Sequence, residues 1–155
     1  MKNELPKNIY MPMRIDSIRF GNRFIKLGPL CGWNSVRNIQ CPRLGQMDWS
    51  EFRDGARAEE YIAQRMKIVE EKRMGKLLNK ELVPVRFEGV ATTAQKFTLK
   101  IKLPKLVLGG SNQLYIYYVV AKVKEKYIAC VLSHYDNDRN APGLPPLISE
   151  VLTLK

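Results

Sequence analysis

The chain opens on two short runs of alternating apolar and polar residues, passes through a stretch with no period, then runs helically, and from Leu82 returns to a period of two. The alternating runs are Arg14 to Phe20 and Arg23 to Leu27, with only Gly21-Asn22 between them. That pair suits a two-residue turn needing positive φ, so the segment predicts a β-hairpin. Residues 1 to 13 read as an extended or flexible arm. Gly28 to Gln46 holds Pro29, Gly32, Asn34, Asn38, Pro42 and Gly45 and reads as an irregular loop. Structureless loops longer than about 12 to 15 residues usually serve a function or cover a core. Trp33, inside this loop, is therefore a candidate to line a pocket or, more simply, to pin the loop to the core.

The helical stretch is predicted from about Trp49 to Met74. Asp48-Trp49-Ser50-Glu51 has a capping residue with Glu three positions on, the spacing of a capping box. Phe52, Ala56, Ile62, Met66, Val69 and Leu77 recur at helical spacing, and Tyr61 and Ile68 widen the stripe, so one face is expected to cover a sheet. Five of the seven charges from Asp48 to Glu60 are acidic and six of the eight from Arg65 to Lys80 are basic, which suits the helix dipole at both ends. Gly75 is placed to cap the C-terminus, although Gly55 weakens the first turns.

Beyond Leu82 the clearest strand is Lys96 to Leu103, and Val83 to Glu88 predicts a partner, with Pro84 at a strand start or sheet edge. Gly109 to Asn112 makes a turn. Leu114 to Val123 and Tyr127 to His134 are apolar on both faces and joined by Lys124-Glu125-Lys126, so they predict the central strands of an antiparallel sheet. Asp136 to Pro146 reads as a polar, Pro-rich loop, and Ile148 to Leu154 as a returning last strand. The element order predicts an α+β fold in one domain: an N-terminal hairpin, a long loop, and one long amphipathic helix on a curved antiparallel sheet of four to six strands. Cystatin-like and NTF2-like folds share that general plan. The likeness is one of architecture, carried by no residue motif.

Composition supports a packed core and narrows the chemistry. Hydrophobic residues make up 45% of the 155, and no run approaches the 18 apolar residues of a membrane span. The start MKNELPKNIYMPMR has no apolar stretch of a secretory signal, so the chain reads as cytoplasmic as written, or as exported if it begins at a mature N-terminus. The net charge of +11 is uneven: residues 1 to 46 hold eight basic against two acidic side chains, residues 47 to 81 eight against eight, and residues 82 to 155 ten against five. Such a field attracts an acidic protein, nucleic acid or anionic lipid without deciding among them.

Lys96, Lys100 and Lys102 alternate along one strand while Lys122, Lys124 and Lys126 gather at a hairpin. If those strands are adjacent they form a phosphate-binding patch that does not read sequence; the plainer role is to keep the sheet from aggregating. His134, Asp136 and Asp138 also alternate, which can bring an imidazole and two carboxylates to one side for a divalent metal, or else marks a strand end running into a solvated turn. Asp136 to Asn140 imitates an EF-hand opening, but Ala141 stands at position six and Leu147 at position twelve, where Gly and Glu are needed. Cys31 and Cys41 are placed to close a small disulfide ring in an oxidising compartment, and Cys130 reads as core. Tight zinc spacings, a nucleophile elbow and phosphate cradles are absent from the sequence. With no catalytic motif and no cofactor implied, the expected function is a non-enzymatic binding or assembly module whose basic surface meets an acidic partner or a neighbouring subunit. The alternatives are a nucleic-acid-binding accessory protein, and a small-ligand binder or enzyme with a pocket between helix and sheet near Trp33 and His134.

Overall fold

The computed structural model describes residues 17–21, 23–26, 31–35, 37–41, 45–72, 75–101, 113–135 and 144–154. Two runs, β1 (Ser17–Phe20) and β2 (Arg23–Lys26), form the expected hairpin, with Phe20 opposite Arg23 and Gly21 at φ 64. They make a two-stranded sheet of their own. The predicted arm, the Gly109 to Asn112 turn and most of the loop after Tyr135 lie outside the described residues.

The segment read as an irregular loop instead carries two short strands, β3 (Gly32–Ser35) and β4 (Asn38–Cys41). Its Pro, Gly and Asn content masked them, because short edge strands are held by pairing with neighbours and need little propensity of their own. The helix start is corrected as well. Residues Gly45–Phe52 form β5, paired with a later strand from Gln46 opposite Ser133 to Phe52 opposite Tyr127. Met47 and Trp49 are buried at a period of two, so the spacing of Asp48 and Glu51 is not a capping box. The helix α1 is Gly55–Lys72, and Asp54 is its cap: the Ala56 amide donates to Asp54 Oδ1 at 2.9 Å. Leu77, counted in the helical stripe, belongs to the next strand.

Four long strands follow: β6 (Gly75–Phe87), β7 (Val90–Ile101), β8 (Gln113–Val123) and β9 (Lys126–Tyr135). β6 and β7 turn through Glu88 and Gly89, both at positive φ, as a tight hairpin requires. Pro84 sits within β6 opposite Thr93 and not at its start, on the outer side of the β6–β7 hairpin. There the covering strand β10 (Leu152–Leu154) reaches only residues 85 to 87, so Pro84's missing N–H forfeits no ladder bond. The last predicted strand is in fact a helical turn, α2 (Pro146–Ser149), followed by β10. Among the described residues the main sheet has eight strands in the order β10-β6-β7-β8-β9-β5-β4-β3, more than the four to six expected, with β8 and β9 central as predicted.

The sheet curls. Phe20 lies 5.2 Å from Trp49 on β5 and 5.9 Å from Phe87 on β6, ring to ring. Those strands are four steps apart, about 19 Å on a flat sheet at the usual strand spacing. The concave face is filled by the β1–β2 hairpin and α2, whose Ile18, Phe20, Ile25, Leu147 and Ile148 join Trp49, Val119 and Cys130 in one buried cluster. Close approach there demands glycine: Gly45 has φ 117, and a Cβ on it would come within 3.1 Å of Ile148. Arg23 ties the plug to the sheet, donating through Nε and Nη2 to both oxygens of Glu88 at 3.0 and 2.7 Å. The opposite face carries α1, which meets β5, β8 and β9 over a second cluster of Ala58, Ile62, Phe97, Leu99, Leu114, Ile116 and Tyr118. Among the described residues no helix is long and apolar enough to cross a membrane.

Candidate ligand-binding site

Where α1 runs off the sheet, helix and strands do not close on each other, and a cleft of about 350 Å³ opens between them. Volumes of that size are at the lower end of small-molecule sites. One wall is aliphatic: Leu114 and Ile116 from β8, Val131 from β9, and Ile68 and Val69 from α1. The other is polar and ordered around Asp48. From β5, Asp48 Oδ1 accepts the Tyr61 hydroxyl at 3.1 Å, while Oδ2 accepts Arg65 Nη1 at 2.6 Å and Asn38 Nδ2 at 3.3 Å. Gln46 Nε2 donates to Asn38 Oδ1 at 3.3 Å. Tyr61 and Arg65 are one helical turn apart, which stacks the guanidinium over the ring at 4.8 Å. Burial, with the neighbouring Asp48 charge, pushes the Tyr61 phenol above its ordinary value, so it stays a donor to Asp48.

Between the two walls stands Tyr118. It is 2% exposed, its ring meets Phe97 edge-on at 4.9 Å, and its hydroxyl is buried with no hydrogen-bond partner among the described residues. Burial raises its pKa far above that of an ordinary phenol, with Glu70 adding to the rise and Arg65 opposing it. The hydroxyl is therefore neutral across the physiological range, with a proton to give.

The residues singled out from sequence are distributed as follows. His134 borders the cleft through its place on β9, but its ring lies with Tyr115 and Tyr117 on the concave side, at centroid distances of 5.3 and 6.3 Å. Its Nδ1 is 3.2 Å from the Tyr135 carbonyl oxygen, to which an Nδ1-protonated ring donates. Tyr117, in the same group, has its pKa pushed up to about 12, chiefly by burial. Asp136 and Asp138 lie outside the described residues, and among the described residues no group of three His, Cys, Asp or Glu side chains could hold a metal. Trp33 pairs with Ile39 across β3 and β4; its side chain is outside the described ones. Cys31 and Cys41 are bonded to each other, tying β3 to β4 at the cleft's edge, and Cys130 is a buried free thiol whose pKa burial raises.

The lysines divide. β7 and β8 are adjacent as the patch required, but Lys96 is half-buried with its ammonium over the Tyr115 and Tyr117 rings at 4.9 and 5.5 Å, on the concave side. Lys100 is exposed further along β7. Lys122 leans over Tyr127 at 5.7 Å on the helix side, Lys124 occupies the β8–β9 turn, and Lys126 pairs with Glu51 at 3.2 Å. Lys102 lies outside the described residues. Sequence reasoning missed Asp48, Arg65 and Tyr118. The one available signal was Arg65, a charge between Ile62 and Val69 within the apolar stripe of α1. No protein-family model matches the chain, and no curated protein is similar enough to it to count as a relative.

Proposed function

We propose that this protein is a binding module that holds a small amphipathic molecule in the cleft between α1 and the sheet. The observation that carries this reading is the Tyr118 hydroxyl, shut from water and without a partner among the described residues, on the wall of an open cleft. A buried hydroxyl left unsatisfied costs about 1–3 kcal/mol, and a ligand whose acceptor displaces the side chains that seal it recovers that cost. The aliphatic wall opposite the Asp48 network supplies the apolar half of the site, the usual composition of small-molecule pockets. The basic surface is the weaker support for a macromolecular partner, because its lysines are spread over two faces of the sheet and two of them rest on rings.

The test is occupancy of the cleft. Ser133 lines it from β9 opposite Ile116, so Ser133→Leu fills part of the space. An environment-sensitive apolar dye should bind the native protein at one site, and Ser133→Leu should weaken it about tenfold or more with the melting temperature unchanged. Equal dye affinity in the folded variant refutes the reading.

A further inference from the structure

Hydrogen-bond donors and acceptors in the cleft do not balance, and the imbalance says what would complete it. On the acceptor side Asp48 is occupied: three donors converge on its two oxygens. Asn38 Oδ1 is likewise taken, by Gln46. On the donor side the charged group and the most deeply buried one, Arg65 and Tyr118, have capacity left. A guanidinium carries five N–H donors, and Arg65 spends Nη1 on Asp48, while its stacking on Tyr61 fixes the plane without using another. Tyr118 holds its phenol proton with no acceptor among the described residues. Both line the same cleft, and Arg65 acts electrostatically on the Tyr118 hydroxyl. The opposite wall is aliphatic, Ile68, Val69, Leu114, Ile116 and Val131, with the Ser133 hydroxyl beside it. A ligand that closes this account presents acceptor oxygens carrying negative charge at one end and a saturated body at the other. A cation would place its charge against Arg65 and offer Tyr118 nothing to donate to. An alcohol would satisfy Tyr118 but leave the guanidinium facing a chain.

We propose that the cleft binds an aliphatic monocarboxylate, its carboxylate held between the Arg65 guanidinium and the Tyr118 hydroxyl and its chain laid along Leu114, Ile116 and Val69. This rests on the reading of the cleft as a ligand site and adds the chemical class. Size agrees: at roughly 30 Å³ for each group the size of a water molecule, about 350 Å³ takes about a dozen non-hydrogen atoms, an acid of eight to ten carbons. The positive field of the whole chain, +11 in sum, draws such an anion in.

The experiment is calorimetric titration of the full chain with octanoate, 1-octanol and octylammonium, with amide NMR shifts locating each probe. Octanoate should bind at least about tenfold tighter than octanol and tighter still than octylammonium, with shifts at Val69, Leu114 and Ser133. Tyr118→Phe should weaken octanoate about tenfold, the scale of a hydrogen bond to a charged group, and leave octanol within about twofold. Arg65→Gln should do the same where it folds, and Tyr118→Phe decides the matter where it does not. Octanol or octylammonium binding the cleft as tightly as octanoate overturns the carboxylate and leaves the cleft as a ligand site. Octanoate binding that Tyr118→Phe does not change, or that shifts only residues outside the cleft, overturns the assignment. Absence of all three probes from the cleft overturns both readings.

Discussion

A phenol hydroxyl without a partner is a cost the folded chain bears at all times, and at Tyr118 it is borne beside an opening. Two consequences separate at this residue. Removing the oxygen removes the unsatisfied group, so Tyr118→Phe is expected to leave the ligand-free protein as stable as the native one or up to about 1 kcal/mol more stable. The ring keeps its edge-on contact with Phe97, so no cavity opens against it. Chemical denaturation checks this, and a loss of 1 kcal/mol or more would mean that the hydroxyl already has a native role within the fold. On the proposed reading the residue combines a stability optimum that favours Phe with a site that needs Tyr. Nothing in the sequence around Tyr118 announces this. Tyr115, Tyr117 and Tyr118 stand together in one apolar run, and only the alternation of faces sends Tyr117 to the concave core and Tyr118 to the cleft.

At the scale of elements, α1 shows how a local signal can be outbid. Asp48 and Glu51 have capping-box spacing, yet that segment gains a full ladder of pairs with β9 and buries Met47 and Trp49. Long-range pairing of seven residues outweighs a cap worth about 1 kcal/mol. The cap that operates is Asp54, and since it is exposed its role is local. Asp54→Ala should therefore destabilise the protein by about 1 kcal/mol, and Asp54→Asn or Asp54→Ser by much less, as measured by denaturant midpoints. If all three variants cost the same, the side-chain oxygen is not what starts the helix. The apolar stripe of α1 was legible because it is a periodicity contained within one window of sequence. Its real beginning was not, because Gly55 directly after the cap lowers the helical signal where the helix starts. The loop between the hairpin and β5 was misread for a related reason: β3 and β4 are short edge strands whose propensity is poor and whose order comes from neighbours and a disulfide.

For the molecule as a whole, the curl of the sheet decides what is core and what is site. Curling brings β5 and β6 to the same aromatic, Phe20, so the hairpin and α2 pack into the concave side. Among the described residues the convex side is covered by α1 alone, which leaves the cleft beside Asp48. The far edge, β4 and β3, forms part of that rim and is held by the Cys31–Cys41 bond, across a separation of 10 residues. A ring of that size contributes roughly 2–3 kcal/mol, so reduction, or the Cys31→Ser and Cys41→Ser pair, should lower the melting temperature by roughly 5–10 °C in a chain of this length. Unchanged melting under reducing conditions would mean that the edge is held by strand pairing alone.

What the sequence by itself determined was what short windows encode: the Gly21-Asn22 hairpin, the amphipathic face of α1, the two-sided apolar strands β8 and β9, and the cysteines able to meet. Tertiary structure alone decided that Gly45–Phe52 is a strand, that the lysines fall on different faces, and that Asp48, Arg65 and Tyr118 line one cleft. Those three come from β5, α1 and β8, and their meeting depends on strand register and sheet curvature. Both are properties of pairings between distant segments, which no local period records.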